Sequence, residues 1–179
     1  MKKTPNLLDL YEAIKPKYTI FCDMDGVLVD FDKGYKDLTG KSTKHSDVQD
    51  KNDFWRLLDK SLEEKELTEY DYWVNLPWIE PDGHILWKYI KEYKPYILTA
   101  PSLDPGSRQG KREWVGREVP EAKNIYFRKA ELKPTFAGRN KILIDDRKDT
   151  TDAWTANGGI GIYHTSAANT IKQLKDLGL

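Results

Sequence analysis

Two pairs of aspartates stand directly behind apolar runs. Asp23 and Asp25 lie in IFCDMDGVLVDF, residues 20–31, and Asp145 and Asp146 in KILIDDR, residues 141–147. Like charges gathered at one place repel unless something positive sits among them. Carboxylates converging from two segments make an oxygen-rich site for a hard cation. Mg²⁺, with waters and a substrate phosphate completing its shell, suits such a site. A metal alone does not require two aspartates spaced by one residue, whereas a nucleophile and a general acid do. One carboxylate can attack phosphorus in line and form an aspartyl-phosphate. The other can protonate the leaving oxygen and later activate water. Gly26 permits a sharp turn behind the pair. Thr99, in YILTAPS at 96–102, can donate a hydrogen bond to a phosphoryl oxygen. A lysine from FRKAELKPTFAGRNK, residues 127–141, can neutralise charge on the transferring group; Lys129, Lys133 and Lys141 are the candidates.

Such groups work only if the fold brings them to one edge. Short apolar runs at 18–22, 95–98, 124–127, 141–144 and 160–164 read as strands. Helical patterns fall between and after them, at 81–93, 107–119, 149–159 and 167–179, the first started by Pro81 and Asp82 and the third closed by a Gly pair. That alternation predicts an α/β fold, a Rossmann-like doubly wound parallel sheet with helices on both faces. Ligands in such sheets bind at the carboxyl ends of the strands. Asp23, Thr99 and Asp145 follow or end three of these strands. Residues 31–75 differ in kind: rich in charge and aromatics, without a clear strand, they read as two or three short helices. An amphipathic helix at 6–14, built on Leu7, Leu8, Tyr11 and Ile14 and ended by Pro16, precedes the first strand.

The motifs resemble those of the haloacid dehalogenase superfamily of phosphotransferases. DMDGVLVDF looks like its first motif, YILTAPS its second and ILIDDR its fourth. Within that superfamily the 5'(3')-deoxyribonucleotidase branch is the most similar, on DGVLVDF, on KREWVGREV at 111–119 and on LIDDR. The resemblance runs from Tyr18 to about Thr150. It implies a core of residues 1–30 and 76–179 with a small helical cap at 31–75 inserted after the first strand. It implies Asp23 as nucleophile and metal ligand, and Asp25 as acid and base with its backbone carbonyl on Mg²⁺. Thr99 would bind phosphate, Lys133 would be the lysine of the third motif with Lys129 as the alternative, and Asp146 the direct third ligand supported by Asp145. It also implies that cap aromatics contact the base, with Phe31, Phe54, Trp55 and Trp73 as candidates. One departure stands out: the branch has Thr-Ser in the second motif, and here it is Thr99-Ala100. Either Ser102 compensates or the contacts to phosphate and nucleoside are altered.

Composition narrows the classes. The 179 residues carry 29 basic and 29 acidic side chains, net charge zero. A dedicated nucleic-acid binder would show a basic excess, so no stable nucleic-acid partner is expected. A small phosphorylated substrate, a nucleotide by the resemblance, fits a local basic pocket inside a neutral total. One cysteine, Cys22, excludes an internal disulfide, and a cytoplasmic setting follows as the expectation. No run approaches the ~20 apolar residues of a membrane span. A homodimer is left open.

The same residues have plainer explanations. Strand-end aspartates can be turn caps, and DDR can be a turn with a surface ion pair. Asp30 and Asp32 read as helix caps or solvent-facing groups. Adjacent Phe54 and Trp55 point to different faces of a helix, so at most one is expected at a base. Trp87, Trp114 and Trp154 read as core, and His45, His84 and His164 as structural. Three functions emerge. The first is a Mg²⁺-dependent nucleoside monophosphate phosphatase. The second is the same chemistry on another small phosphometabolite or a nucleic-acid end. The third is a non-catalytic phosphate-binding protein.

Overall fold

The computed structural model describes residues 18–43 and 50–179; the helix expected at 6–14 and His45 lie outside them. Five parallel strands form one sheet: β1 (Thr19–Cys22), β2 (Tyr96–Thr99), β3 (Asn124–Phe127), β4 (Lys141–Asp145) and β5 (Ile160–Tyr163), in the order β3-β2-β1-β4-β5. Side chains alternate across the sheet because the strand period is two. Ile20, Cys22, Ile97, Ile142 and Ile144 face one layer of core, and Phe21, Leu98 and Leu143 the other. Each such buried side chain contributes roughly 1.5–3 kcal/mol relative to exposure.

Behind β1 come α1 (Phe31–Thr39), α2 (Lys51–Glu64) and α3 (Glu69–Val74). Then come α4 (Asp82–Ile90), α5 (Pro105–Glu118), α6 (Lys148–Ala156) and α7 (Ala167–Asp176). Leu86, Ile90, Trp114, Val115 and Leu174 bring α4, α5 and α7 onto one face, while Trp154 of α6 covers the other. The sheet is thus covered on both faces, as the alternation predicts. No helix among the described residues is long and apolar enough to cross a membrane.

Local chemistry sets the boundaries. Asp30 caps α1 by accepting from Lys33 N at 2.9 Å, and Thr68 and Asp71 form a reciprocal capping box on α3. Pro105 fits the first turn of α5, which therefore begins two residues before the expected start at 107. The helix expected over 81–93 tightens into a 3₁₀ turn at Lys91–Tyr93. Asn157, ahead of the Gly pair, is the C-cap of α6. Asp32 differs from the reading as a cap. Its carboxylate accepts from Thr43 N and Thr43 Oγ1 at 2.7 and 2.6 Å, pinning residues 42–43 to α1.

Helix α3 seats closely on α5. A Cβ at Gly110 would stand 2.8 Å from both Tyr70 O and Trp73 Cβ, so only glycine admits this approach. Trp114 Nε1 donates to Leu76 O at 2.9 Å, and Arg117 to Val74 O at 2.8 Å, fixing the chain that leaves α3.

Candidate active site

Strand register decides which side chains meet. β1 pairs with β4 as Cys22↔Ile144 and with β2 as Cys22↔Ile97. One step further along, Asp23 lies beside Asp145, and its N–H donates to Ile144 O at 2.8 Å. Asp25 lies just past the level of Thr99. The chain behind β1 turns back at once, with Leu28 and Val29 N–H both donating to Met24 O at 2.9 Å. Gly26 sits in this turn at φ +76, in left-handed backbone, and a Cβ there would overlap the Asp146 carboxylate. Gly26→Ala is expected to lower divalent-metal affinity by roughly tenfold or more through the displaced Asp146. Calorimetric Mg²⁺ titration measures it; an unchanged affinity would show that Asp146 is not a metal ligand.

The carboxylates of Asp23, Asp145 and Asp146 offer oxygens that all lie within 4.8 Å of one another. Lys133, itself buried, reaches this cluster from the 3₁₀ segment Ala130–Phe136. Its Nζ lies 2.7 Å from Asp23 Oδ2 and donates to Asp145 Oδ2 at 2.7 Å. One ammonium among three carboxylates leaves a negative surplus, and the donors are all hard oxygens. The cluster is therefore suited to a metal ion.

Electrostatics separate the paired aspartates. Asp145 has both oxygens engaged: Oδ2 by Lys133 and Oδ1 by Arg147 N at 2.9 Å. Burial, and then Asp23, push its carboxyl up to about 7 against the pull of Lys133. Asp146 is open to solvent on one side and lines the cleft. Burial of the remainder, then repulsion from Asp23, push it up to about 6. Among the described residues no side chain donates to Asp146. Lys133 loses to burial but gains more from Asp23 and Asp145, so its ammonium is held above the usual lysine range.

Lys111 is the residue that sequence reading missed. It is fully buried, pairs with Asp25 Oδ2, and donates to Thr99 Oγ1 at 2.9 Å and Ala100 O at 2.8 Å. It also lies over the Trp73 ring at 4.4 Å. The signal was present. Ser107, Lys111, Trp114 and Val115 share one helical stripe, and a lysine on a buried stripe needs a partner. Asp25 Oδ1 is shielded and has no hydrogen-bond partner among the described residues. Burial raises the Asp25 carboxyl even though Lys111 pulls it down.

Above this floor opens a cleft of about 480 Å³ lined by Asp23, Asp25, Lys133 and Asp146 at one end. Phe31, Phe54, Trp55, Trp73, Ala100 and Ser102 line the rest. Phe54 and Trp55 both line it. Three of the four aromatics are already engaged: Phe31 stacks on Trp73 at 5.3 Å and Phe54 on Tyr35 at 4.4 Å. Trp55 meets Phe54 edge to face at 4.8 Å and has no stacked partner among the described residues. Ser102 donates to Glu69 Oε2 at 2.6 Å, so its hydroxyl proton is committed there. Thr99 is fully buried and does not itself line this cleft. Lys129 does not line this cleft. Cys22, His164, Trp87, Trp114 and Trp154 are buried, and His84 stacks on Trp78 at 4.1 Å. Arg147 pairs with Asp149 on the surface at 2.7 Å.

Among solved structures the chain is similar to the crystal structure of a hydrolase from Streptococcus pneumoniae TIGR4. Identity is 15% and the TM-score 0.51, over 89% of this chain and 99% of that one. At that identity the likeness concerns the fold alone. No family model matches the chain. No curated protein matches it either.

Proposed function

We propose that this chain is a Mg²⁺-dependent phosphatase of the haloacid dehalogenase type, acting on nucleoside monophosphates and preferring deoxyribonucleotides. The observation that carries the reading is the pairing of two separate carboxylate environments on one loop. Asp23 stands among the metal-suited carboxylates, while Asp25, two residues on, is held apart by Lys111 with one oxygen unpartnered among the described residues. A protein that only binds phosphate has no use for the second. The motif resemblance points the same way.

Asp23, Asp146 and the backbone carbonyl of Asp25 would hold the metal, with Asp145 in support through Lys133. The bound ion would offset carboxylate repulsion and draw charge from the phosphoryl oxygens. Asp23 Oδ2 attacks phosphorus as the ester oxygen leaves, and the leaving oxygen takes the proton of Asp25. Asp25, now ionised, draws a proton from the water that attacks the aspartyl-phosphate, which frees phosphate and restores Asp23. Raising the Asp25 carboxyl by burial favours the protonated form that the first step needs. Lys111 orients Asp25 and Thr99 together, and Lys133 counters charge on the transferring group. Helices α1–α3 act as the cap, their aromatics receiving the base.

Phosphate release from 5'- and 3'-mononucleotides and common sugar phosphates, with Mg²⁺ and with EDTA, tests this. The expected result is deoxynucleotide turnover that EDTA removes. Turnover of sugar phosphates alone would keep Asp23 and Asp25 and overturn the nucleotide substrate. No turnover of anything would overturn the enzyme.

A further inference from the structure

The cleft continues outward into a second compartment of about 940 Å³, which shares Trp55, Ser102 and Arg147 with it. Trp55 lines both spaces. Among the described residues Trp55 is also the cleft aromatic without a stacked partner, so its ring is the platform left for a flat group.

Glu69, the first residue of α3, is half-buried in the wall of the outer compartment. Both donors that reach it arrive at one oxygen: Ser102 Oγ at 2.6 Å and Trp73 Nε1 at 2.7 Å, each to Oε2. These fix the carboxylate in place. Among the described residues nothing donates to Oε1. The other charges around the compartment do not supply a donor surplus. Asp59, Asp104 and Glu131 are acidic, against Lys129 and Arg147. Asp104 is engaged as the cap of α5, and Arg147 with Asp149. A held carboxylate with an open oxygen, in the acidic wall of a compartment that Trp55 also lines, recognises an N–H donor on a flat ring. It repels a carbonyl or a second phosphate.

We infer that Glu69 is the specificity-determining residue of this cleft, its Oε1 accepting from the exocyclic amino group of a nucleobase stacked on Trp55. Amino-bearing bases are therefore preferred over thymine and uracil. This rests on the nucleotidase reading. Cytosine and uracil make the sharpest comparison, because the rings match in size and an amino group on one is replaced by a carbonyl on the other. A hydrogen bond to a charged acceptor that one substrate makes and the other cannot is expected to separate them by roughly 10- to 100-fold in kcat/KM.

The experiment measures kcat and KM for dCMP and dUMP on the wild type and on Glu69→Gln. Glutamine keeps an oxygen for Ser102 and Trp73 but presents an amide N–H where Oε1 was. Expected is a wild-type ratio favouring dCMP, carried mainly by KM. In Glu69→Gln the ratio falls at least tenfold, because dUMP improves as dCMP weakens. A structural role alone would slow both substrates equally and leave the ratio in place. The wild-type ratio needs no variant to fold. A ratio near one or favouring dUMP overturns the inference, as does a ratio that Glu69→Gln leaves unmoved. Absence of turnover on both, with phosphate released from a non-nucleotide, overturns the nucleotidase reading and this inference with it.

Discussion

Asp23→Asn is expected to remove turnover, by roughly 10⁴-fold or more, while the protein stays folded. The amide matches the carboxylate in size and can still accept from Met24 N, which donates to Asp23 Oδ1 at 2.8 Å. It cannot act as a nucleophile towards phosphorus. Without metal, the variant should melt no lower than wild type, since one of three crowded negative charges is gone while Lys133 keeps Asp145 at 2.7 Å. Loss of a metal ligand and loss of the nucleophile are separated by raising Mg²⁺: saturation does not restore the rate if Asp23 is the attacking group. Phosphate release and a thermal melt on the same sample decide it. Activity within tenfold of wild type would end the covalent mechanism.

Lys133→Met is expected to be the most destabilising single change near the cleft. Methionine fills similar volume, but the ammonium between Asp23 and Asp145 is lost, leaving buried carboxylates uncompensated. Breaking a buried pair in this way costs about 3–5 kcal/mol. The pH dependence has a definite sign. Asp145 in the folded chain is pushed up to about 7, above the ~4 of an exposed aspartate. The folded state therefore binds the proton more tightly than the unfolded chain. The penalty on the ionised form is full above pH 7 and fades as pH falls towards 4. Lys133 holds that value down, so its removal lifts it further and steepens the dependence. The metal-free variant should fall furthest below wild type near pH 8 and approach it near pH 5. Added Mg²⁺ should narrow the gap at pH 8 by replacing the missing charge. Melting curves at pH 5 and 8, with and without Mg²⁺, measure this. A loss equal at both pH values would show that Lys133 matters for packing and not for charge.

Much of this architecture is written locally. The five strands lie within a residue or two of the apolar runs, since four or five consecutive apolar residues bounded by turn formers have few alternatives to a buried strand. The acidic pairs and Thr99 stood out as candidates by type and position, and the lysine was one of three between residues 127 and 141. Lys133 stood out from Lys129 by the resemblance, and the structure brings Lys133 to Asp23 and Asp145 while Lys129 stays outside the cleft.

Pairwise choices between distant segments were decided only by tertiary structure. Lys111 is linked to Asp25 across 86 residues and Glu69 to Ser102 across 33, and no local pattern encodes either contact. The assignment of Asp145 inward to Lys133 and Asp146 outward to the cleft depends on β4 register against β1. Which cleft aromatics stack on one another follows from how α1, α2 and α3 are set together. Sequence by itself determined the groups able to do chemistry and the sheet edge that carries them, because periodicity and turn chemistry act over a few residues. The tertiary structure decided which of those groups are paired, shielded or left open, because burial and charge partners are properties of segments brought together by the fold.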